Sequence, residues 1–553
     1  MSDKLPSDAE RFFWAESAAQ KVMERKKFHF TSDSVPKLKK WSVKSSSSLS
    51  GVLHIGRLSD IIRGEAVFRA MKEKGFPAEF IYVTEDMDPL RSIPKGVPQN
   101  FTEFIGMPVS DVPDPFGCHE SYAKHFLQNF LDVFRKFLFF EPDVFSMREE
   151  YKKGEFNDSI KILVEKSKEV SGIINKQKDN PVPQDWSPWK PICDKCGKLQ
   201  TTVVTKFDGK KVEYACRDYA FEKHLAKGCG HEGTSSLTKA NGKLAWKSEW
   251  AAQWKRWSVC AEGAGKEYES GNSAFWVNAE ICEKILGFPM PEPIFYEHLM
   301  IDGKKMSASL GNVVYPADWL QVSRPEALKF LYLKRITKAR SFSWREIPLL
   351  ELELDRAAEN FYSKEAVQGE QKDLAKQKKL FEFSSVKGRK LAPLKADYAF
   401  VSALAQLFPG DSVLLEKLKE TGHLGKSPGA DELNLLNERI SLARKFLELH
   451  ATEEQRIHFT EKISGEAIAL FGSEKEFAKI LPALLQKISQ PVSAEEIQQQ
   501  IFESAKAAGI KPAELFQLFY LSMLGRKQGP KLGSLIIALG KEKVLGRMNE
   551  LLN

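Results

Sequence analysis

SSSSLSGVLHIGRLSDIIRGEAVFRAMKEK, residues 45–74, is the stretch whose reading decides the fold. A run of hydroxyl side chains, Ser45 to Ser48, leads into Ser50-Gly51, a segment able to bend tightly against a ligand. Val52-Leu53-His54-Ile55-Gly56-Arg57 follows. Leu58, Ile61, Ile62, Val67, Ala70 and Met71 then recur at the spacing of an amphipathic helix that packs one face on a core, with Gly75 as its stop. Ala78 to Val83 is apolar and β-branched enough to be a strand. A small-residue loop entering a helix N-terminus offers unpaired backbone N–H groups to phosphate, and the helix dipole assists. His54 and Gly56 then sit where a nucleotide would lie, the glycine allowing close approach and the histidine donating to it.

Taken alone, His54-Ile55-Gly56 is also what a plain helix-capping loop looks like. A second stretch changes the balance: HLMIDGKKMSASLGNVV, residues 298–314. The two occur in this order, far enough apart for a nucleotide-binding fold to be split by an insertion.

At 553 residues the chain exceeds one compact domain, and three to four units are expected. With 42% hydrophobic and 28% charged residues, and no apolar run long enough to cross a bilayer, the composition excludes an integral helical membrane protein. The first residues carry acidic side chains and lack a basic-then-apolar signal, so a cytoplasmic location is expected. A net charge of +8 suits a polyanionic partner without demanding one. The 7 cysteines are an odd number, and Cys193, Cys196, Cys216 and Cys229 fall in one short region, which points to metal rather than disulfides.

Along the chain, a helix is expected from Ala9 to Lys27. Asp86 and Asp88 should hang beyond the carboxyl end of the 78–83 strand, where open α/β sheets bind ligands, although turn-making before Pro89 accounts for them equally well. Residues 92–120, rich in Pro and Gly, read as a surface connection. Residues 121–140 read as a helix whose aromatics are core, and residues 152–177 as one amphipathic helix. Cys193-x2-Cys196 is a metal knuckle, and Val203 to Val212 reads as a β-hairpin. Cys193, Cys196, Cys216 and Cys229 are the favoured ligands, with His231 as substitute for the last. No neighbouring general base announces itself, so the metal should be structural. Residues 263–268 form a turn that places a carboxylate near a ribose. A helix over 271–286 and a strand over 294–300 lead into the second stretch. From about Ser343 helices dominate, with a kink or break at Pro482, a charged link over 372–395, and basic residues presented on a tight turn over 524–533.

The two stretches resemble the paired His-Ile-Gly-His and Lys-Met-Ser-Lys-Ser signatures of class I aminoacyl-tRNA synthetases. Cys193/Cys196 with Gly-Cys-Gly-His-Glu-Gly at 228–233, the Trp246–Trp254 cluster, Gly265-Lys266-Glu267-Tyr268, residues 86–91 and the Gly529-Pro530-Lys531-Leu532-Gly533 turn resemble the lysyl branch, over nearly the whole chain. The resemblance implies an α/β fold: a Rossmann-type parallel-sheet catalytic domain with a zinc-bearing insertion, followed by an all-α anticodon-binding domain. The implied boundaries are 1–185 and 244–345 for the two Rossmann halves, 186–243 for the insertion and 346–553 for the helical domain. It also implies activation of L-lysine by ATP to lysyl-adenylate and transfer to the terminal adenosine of tRNA(Lys), with Mg2+ and a structural Zn2+, by a monomer. His54 would donate to phosphate and Gly56 would floor the adenine, with Arg57 completing the first signature. Lys305, Met306, Ser307 and Ser309 would close on pyrophosphate, and Gly265 and Glu267 would meet adenosine. Ser46, Ser48, Trp246, Tyr268 and Tyr296 match positions that contact the amino acid. A buried ammonium must be paired, so Asp86 and Glu249 are added as its partners.

Four departures stand out: Arg57 ends the first signature where His is commonest, Ala308 replaces the second lysine of the other, Tyr268 stands where His is frequent, and the serine run lacks a glycine. Rival readings are a class I synthetase for glutamate or glutamine, a non-catalytic tRNA-binding paralogue, and a nucleotidyltransferase of the wider superfamily.

Overall fold

The computed structural model describes residues 13–49, 51–176, 181–183, 186–239, 241–306, 311–363 and 371–553. Ser307, Ala308 and Ser309 of the second signature lie outside the described residues, as do the first residues of the helix expected from Ala9. The chain falls into two units, one comprising Met1–Ala317, Leu328–Phe342 and Val367–Lys390, the other Asp318–Ala327, Ser343–Ala366 and Leu391–Asn553.

The first unit is built on a five-stranded, wholly parallel sheet: β1 (Trp41–Ser48), β2 (Ala78–Glu85), β3 (Asp143–Ser146), β4 (Val259–Gly265) and β5 (Glu292–Tyr296), in spatial order β5-β4-β1-β2-β3. The order reverses between β1 and β4, and ligands of open α/β sheets bind in the crevice beyond the carboxyl ends at such a reversal. The serine run is therefore the end of a central strand, not a loop. β1 is unusually polar for a central position because its last residues border the crevice and two of its hydroxyls find partners there: Ser45 donates to the Asp60 carbonyl at 3.4 Å, and Ser46 accepts from Lys44 at 3.2 Å.

Helix α1 (Ile55–Glu73) covers one face of the sheet, and α2 (Trp246–Arg256) the other. Ser45 points toward α1, whose Gly64 has no room for a Cβ beside the Ser45 hydroxyl. The expected one-faced amphipathic helix is instead buried on all sides from Leu58 through Phe68. The reason is a second cover within the same unit. Lys329 pairs with Glu65 at 2.6 Å, Tyr332 donates to the Ile55 carbonyl at 3.0 Å, and Arg69 pairs with Glu382. Glu382 belongs to the helix Gln371–Ser384, so the charged tract at 372–395 is for the most part packed structure and not a free link. Each of Ile61, Ile62, Val67 and Met71 is fully enclosed, worth roughly 1.5–3 kcal/mol apiece.

Other elements are shorter than their sequence pattern suggested. The helix expected over 152–177 is three, Met147–Lys152, Asn157–Glu165 and Ser167–Asn175: Gly154 adopts φ +78° and turns the chain after the first, and Lys166 leaves helical geometry between the other two. The strand expected over 294–300 is two: β5 ends at Tyr296, and Leu299–Ile301 joins a separate small sheet with Lys304–Lys305 and Arg340–Phe342. The insertion carries the expected hairpin, Thr202–Phe207 against Lys211–Cys216, with Glu232–Ser236 as a third strand. Its stem is the antiparallel pair Trp189–Pro191 and Gly242–Leu244.

The described part of the second unit is helical. Its largest core is gathered by helices Lys475–Ser489, Ala494–Ala507, Pro512–Leu524, Leu532–Leu539 and Lys541–Asn549 around Leu485, Ile501, Phe519 and Leu535. Helix Lys475–Ser489 runs through Pro482 without the expected break, its apolar face at Phe477, Leu481, Leu484, Leu485 and Ile488 being sealed into that core. No described helix is long and apolar enough to cross a membrane.

Candidate active site

The crevice is lined first by the entry to α1. His54 is its N-cap residue, and its Nδ1 accepts the Gly56 N–H at 3.0 Å. The Ile55 N–H goes to the Val314 carbonyl, and the Arg57 N–H back to the His54 carbonyl, both at 2.9 Å. The first N–H groups of the helix are thus already spoken for, and phosphate would meet side chains and the helix dipole instead of the free amides the sequence suggested. With Nδ1 accepting, the neutral imidazole must carry its proton on Nε2, which leaves that atom as a donor. Burial, and then the Arg57 charge, lower the His54 pKa to about 4, so it donates as a neutral ring. Arg57 is exposed and makes no ion pair among the described residues.

The second signature reaches the first. A Cβ on Gly56 would stand 2.7 Å from the His54 ring and 3.1 Å from the Met306 methyl, so only glycine fits between them. Lys305 sits exposed on its short strand opposite Met300. At the end of β4, a Cβ on Gly265 would collide with the Glu267 carboxylate, which accepts from His298 at 2.7 Å.

On the α2 face, Lys44, Ser46 and Ser48 alternate with the α1-facing Ser45 and Ser47. Lys44, wholly buried, pairs with Glu262 of β4 at 2.6 Å. The same carboxylate takes the indole N–H of Trp250 at 3.0 Å and of Trp254 at 2.5 Å. This arrangement fixes the tryptophan ladder: Trp246 stacks on Trp250 at 4.8 Å, and Tyr268 meets Trp250 edge-on at 5.4 Å. Ser46, Ser48, Trp246 and Tyr268 are thus brought to one wall. Tyr296 is elsewhere: the Arg63 guanidinium lies 4.2 Å over its ring, beside Asp60 on α1. Burial, and then Glu262, push the Asp60 carboxyl up to about 7.

The two expected ammonium partners part company. Asp86 turns toward β3, one oxygen taken by the Ser146 hydroxyl at 2.5 Å and the other by the Arg148 N–H at 2.9 Å. Glu249 does reach the α2 wall, yet it is already held by Tyr151 at 2.6 Å and Lys243 at 2.8 Å. Residues that sequence reasoning passed over complete this corner. Glu85, the last residue of β2, lies beside Ser48 in register and receives the Gln253 amide on both oxygens at 3.1 Å. Lys243, from the insertion stem, also pairs with Asp88 at 2.9 Å.

In the insertion, the four favoured cysteines converge, their Sγ atoms all within 4.8 Å of one another, and His231 is not among them. Cys193 and Cys229 are 3.6 Å apart, Cys196 and Cys216 3.7 Å. Zinc–sulfur bonds of about 2.3 Å imply tetrahedral edges of about 3.8 Å, so the donor set fits Zn2+. A second donor set spans the end of the Pro/Gly-rich connection and the helix after it, Tyr122–Phe134: Asp114, Cys118, His119 and His125, whose ligand atoms also gather within 4.8 Å. Cys118 Sγ lies 3.1 Å from His119 Nδ1 and 3.3 Å from His125 Nδ1. The signal was present as Asp-x3-Cys-His-x5-His.

In the second unit, a cleft of about 350 Å³ is bordered by Lys395, His423, Arg526, Gln528 and Lys531. Arg526 gives its guanidinium to the carbonyls of Arg456 and Glu454, and so shapes the turn.

The sequence matches the family model described as tRNA synthetases class I (K) over residues 12–387, and an anticodon binding domain over residues 400–552. It is 31% identical over 548 residues to the lysine–tRNA ligase of Methanocaldococcus jannaschii, covering 97% of this chain and 99% of that one. The corresponding enzyme of Cenarchaeum symbiosum is 30% identical over 545 residues, covering 96% and 97%. That of Methanosphaera stadtmanae is 27% identical over 547 residues, covering 97% and 98%.

Proposed function

Because this chain belongs to the class I lysyl-tRNA synthetases and is a lysine–tRNA ligase, we propose that the crevice between β1 and β4 is where L-lysine and ATP become lysyl-adenylate, before the lysyl group passes to the 3′-terminal adenosine of tRNA(Lys). The observation that carries this reading is the meeting of the two signatures, Met306 against Gly56 and His54, at the topological switch point.

The chemistry is in-line attack of the lysine carboxylate on the α-phosphate with pyrophosphate leaving, so positioning and charge stabilisation do the work. His54 Nε2–H donates to a phosphate oxygen. Its imidazole keeps that proton throughout, since the depressed pKa resists a second one. Arg57 and Lys305 supply positive charge from the exposed rim, and Ser307 and Ser309 would join them on pyrophosphate. Gly56 and Gly265 admit adenosine, with Glu267 at the ribose. Ser46, Ser48, Trp246 and Tyr268 form the wall for the amino acid. Mg2+ would arrive with the ATP phosphates and neutralise them; no protein ligand is assigned to it. Zn2+ at Cys193, Cys196, Cys216 and Cys229 would cross-link the insertion, and Asp114, Cys118, His119 and His125 offer a second metal position. The cleft at Lys395, His423 and Lys531 is the candidate anticodon contact, and the protein is read as a monomer.

Pyrophosphate exchange into ATP, run with each amino acid with and without added tRNA, tests the reading. Exchange with lysine alone is expected. Exchange with a different amino acid would keep the mechanism and overturn the pocket, and no exchange under either condition would overturn both. Lys305→Ala should slow adenylate formation far more than it weakens lysine binding, as a group acting in the transition state does.

A further inference from the structure

Acceptors outnumber donors at the end of β2. Glu85 is 4% exposed, and its two oxygens share a single donor nitrogen, Nε2 of Gln253. Gln253 is itself fully buried, and its Oε1 has no hydrogen-bond partner. With Glu85 ionised, as it would be opposite a bound cation, the amide must present its nitrogen, because the flipped amide would set oxygen against carboxylate. Charge is short as well. Asp88 and Glu249 already share Lys243, and Lys44 is held by Glu262, so neither buried ammonium is left for Glu85. A buried carboxylate without a cation is costly. What this corner lacks is one positive charge carrying several N–H donors.

The location adds a reach argument. Ser48 of β1 and Glu85 of β2 are register partners, one strand spacing of roughly 4.8 Å apart. An amino acid whose carboxylate lies over β1, beside the phosphate site, therefore points a four-carbon side chain along the Trp246–Trp250 wall toward Glu85. We infer that Glu85, oriented by Gln253, is the seat of the substrate's ε-ammonium, with the Lys243–Asp88–Glu249 cluster framing it. The inference rests on the reading that lysine is activated in this crevice. It replaces Asp86, whose oxygens are taken on the β3 side, and moves Glu249 to a supporting role.

Burial, chiefly, pushes the Glu85 carboxyl up to about 8; Lys44 opposes the shift, Glu249 and Asp88 add to it, and Lys243 opposes it. Tyr151, hydrogen-bonded to Glu249, and Tyr82 are further ionisable groups that feel its charge. A bound ammonium favours the ionised carboxylate, so lysine binding should tighten as pH rises toward 8 and release a proton below it.

The test uses the full-length protein with tRNA in lysine-dependent pyrophosphate exchange. Glu85→Gln, equal in size and uncharged, should raise the KM for lysine roughly 100-fold while that for ATP stays within about twofold. Asp86→Asn should leave the lysine KM near the wild-type value. In the wild-type protein the lysine KM should fall between pH 6.5 and 8.5 with the ATP KM flat, and this profile decides the matter should Glu85→Gln fail to fold. An unchanged lysine KM in Glu85→Gln, a rise in Asp86→Asn as large as in Glu85→Gln, or a flat wild-type profile would each overturn the assignment. Failure of wild-type exchange with lysine would instead strike the underlying reading.

Discussion

Each unit of this protein buries a network of charges, and the two are built to opposite ends. In the helical unit, Arg324 holds Glu351 at 2.5 Å and Asp355 at 2.9 Å, Arg439 holds Asp355 at 2.6 Å, and Ser323 donates to Glu351 at 2.6 Å. Two guanidiniums face two carboxylates, and Arg439 spends a further N–H on the Ala396 carbonyl. Burial alone would raise Glu351, yet Arg324 and Arg439 hold its carboxyl below the usual range. In the catalytic unit, Glu85 goes the other way, up to about 8, with an amide for its partner. A network whose charges balance organises the fold, whereas one left short of positive charge marks where a ligand completes it. Burial is the same in both, and each holds a buried oxygen without a hydrogen-bond partner, Asp355 Oδ2 in one and Gln253 Oε1 in the other; the balance of charge separates them.

The sharpest way to break this contrast is to neutralise one carboxylate in each. Glu351→Gln leaves Arg324 buried beside a neutral amide and should cost about 3–5 kcal/mol of unfolding free energy, read by denaturant titration. Glu85→Gln should cost less than about 1 kcal/mol, because its site already favours the neutral form. Equal losses would erase the distinction.

A smaller effect is expected at the phosphate end, where shape and not charge is at stake. Gly56→Ala places a methyl 2.7 Å from the His54 ring. It should lower kcat for exchange by roughly 10–100-fold, or about 1.4–2.7 kcal/mol, with little change in lysine KM. A rise in lysine KM without loss of kcat would mean the two ends of the crevice are not separable.

The smallest effect concerns pH and stability, with opposite signs in the two networks. Glu351, depressed when folded, contributes stability present above its unfolded pKa and lost in acid as pH falls through the folded value. Glu85, raised when folded, costs stability as pH climbs from its unfolded value toward about 8. Lysine should therefore raise Tm by a few °C more at pH 8.5 than at pH 6.5, seen by thermal unfolding with and without the amino acid. A shift independent of pH would count against the open network.

Much of this was legible in the sequence, and the failures have physical causes. The two signatures and the cysteine set can be read because each spacing serves one local geometry. The serine run that ends β1 was read as a loop because four serines carry no apolar pattern, although a strand at the rim of a site can hold Ser45 and Ser46 on a backbone carbonyl and Lys44. Ending β2 at Val83 hid Glu85, since Thr84 and Glu85 continue the strand against Ser47 and Ser48. Asp86 was chosen on proximity to the strand end, but side-chain direction alternates, and that alternation delivers it to Ser146. Gln253 and Lys243 gave no local signal at all; only the fold brings them to Glu85.

The insertion stem has a consequence for how freely parts of this protein can be exchanged. Strand Gly242–Leu244 closes the four-cysteine module, and its middle residue, Lys243, ends against Asp88 and Glu249, in the corner proposed for the amino acid. The module is consequently no detachable cassette. On the proposed reading of that corner, transplanting one from a relative also transplants its cation, so a chimera joined outside the stem should inherit the donor's discrimination among amines, whereas one joined inside it should retain the host's.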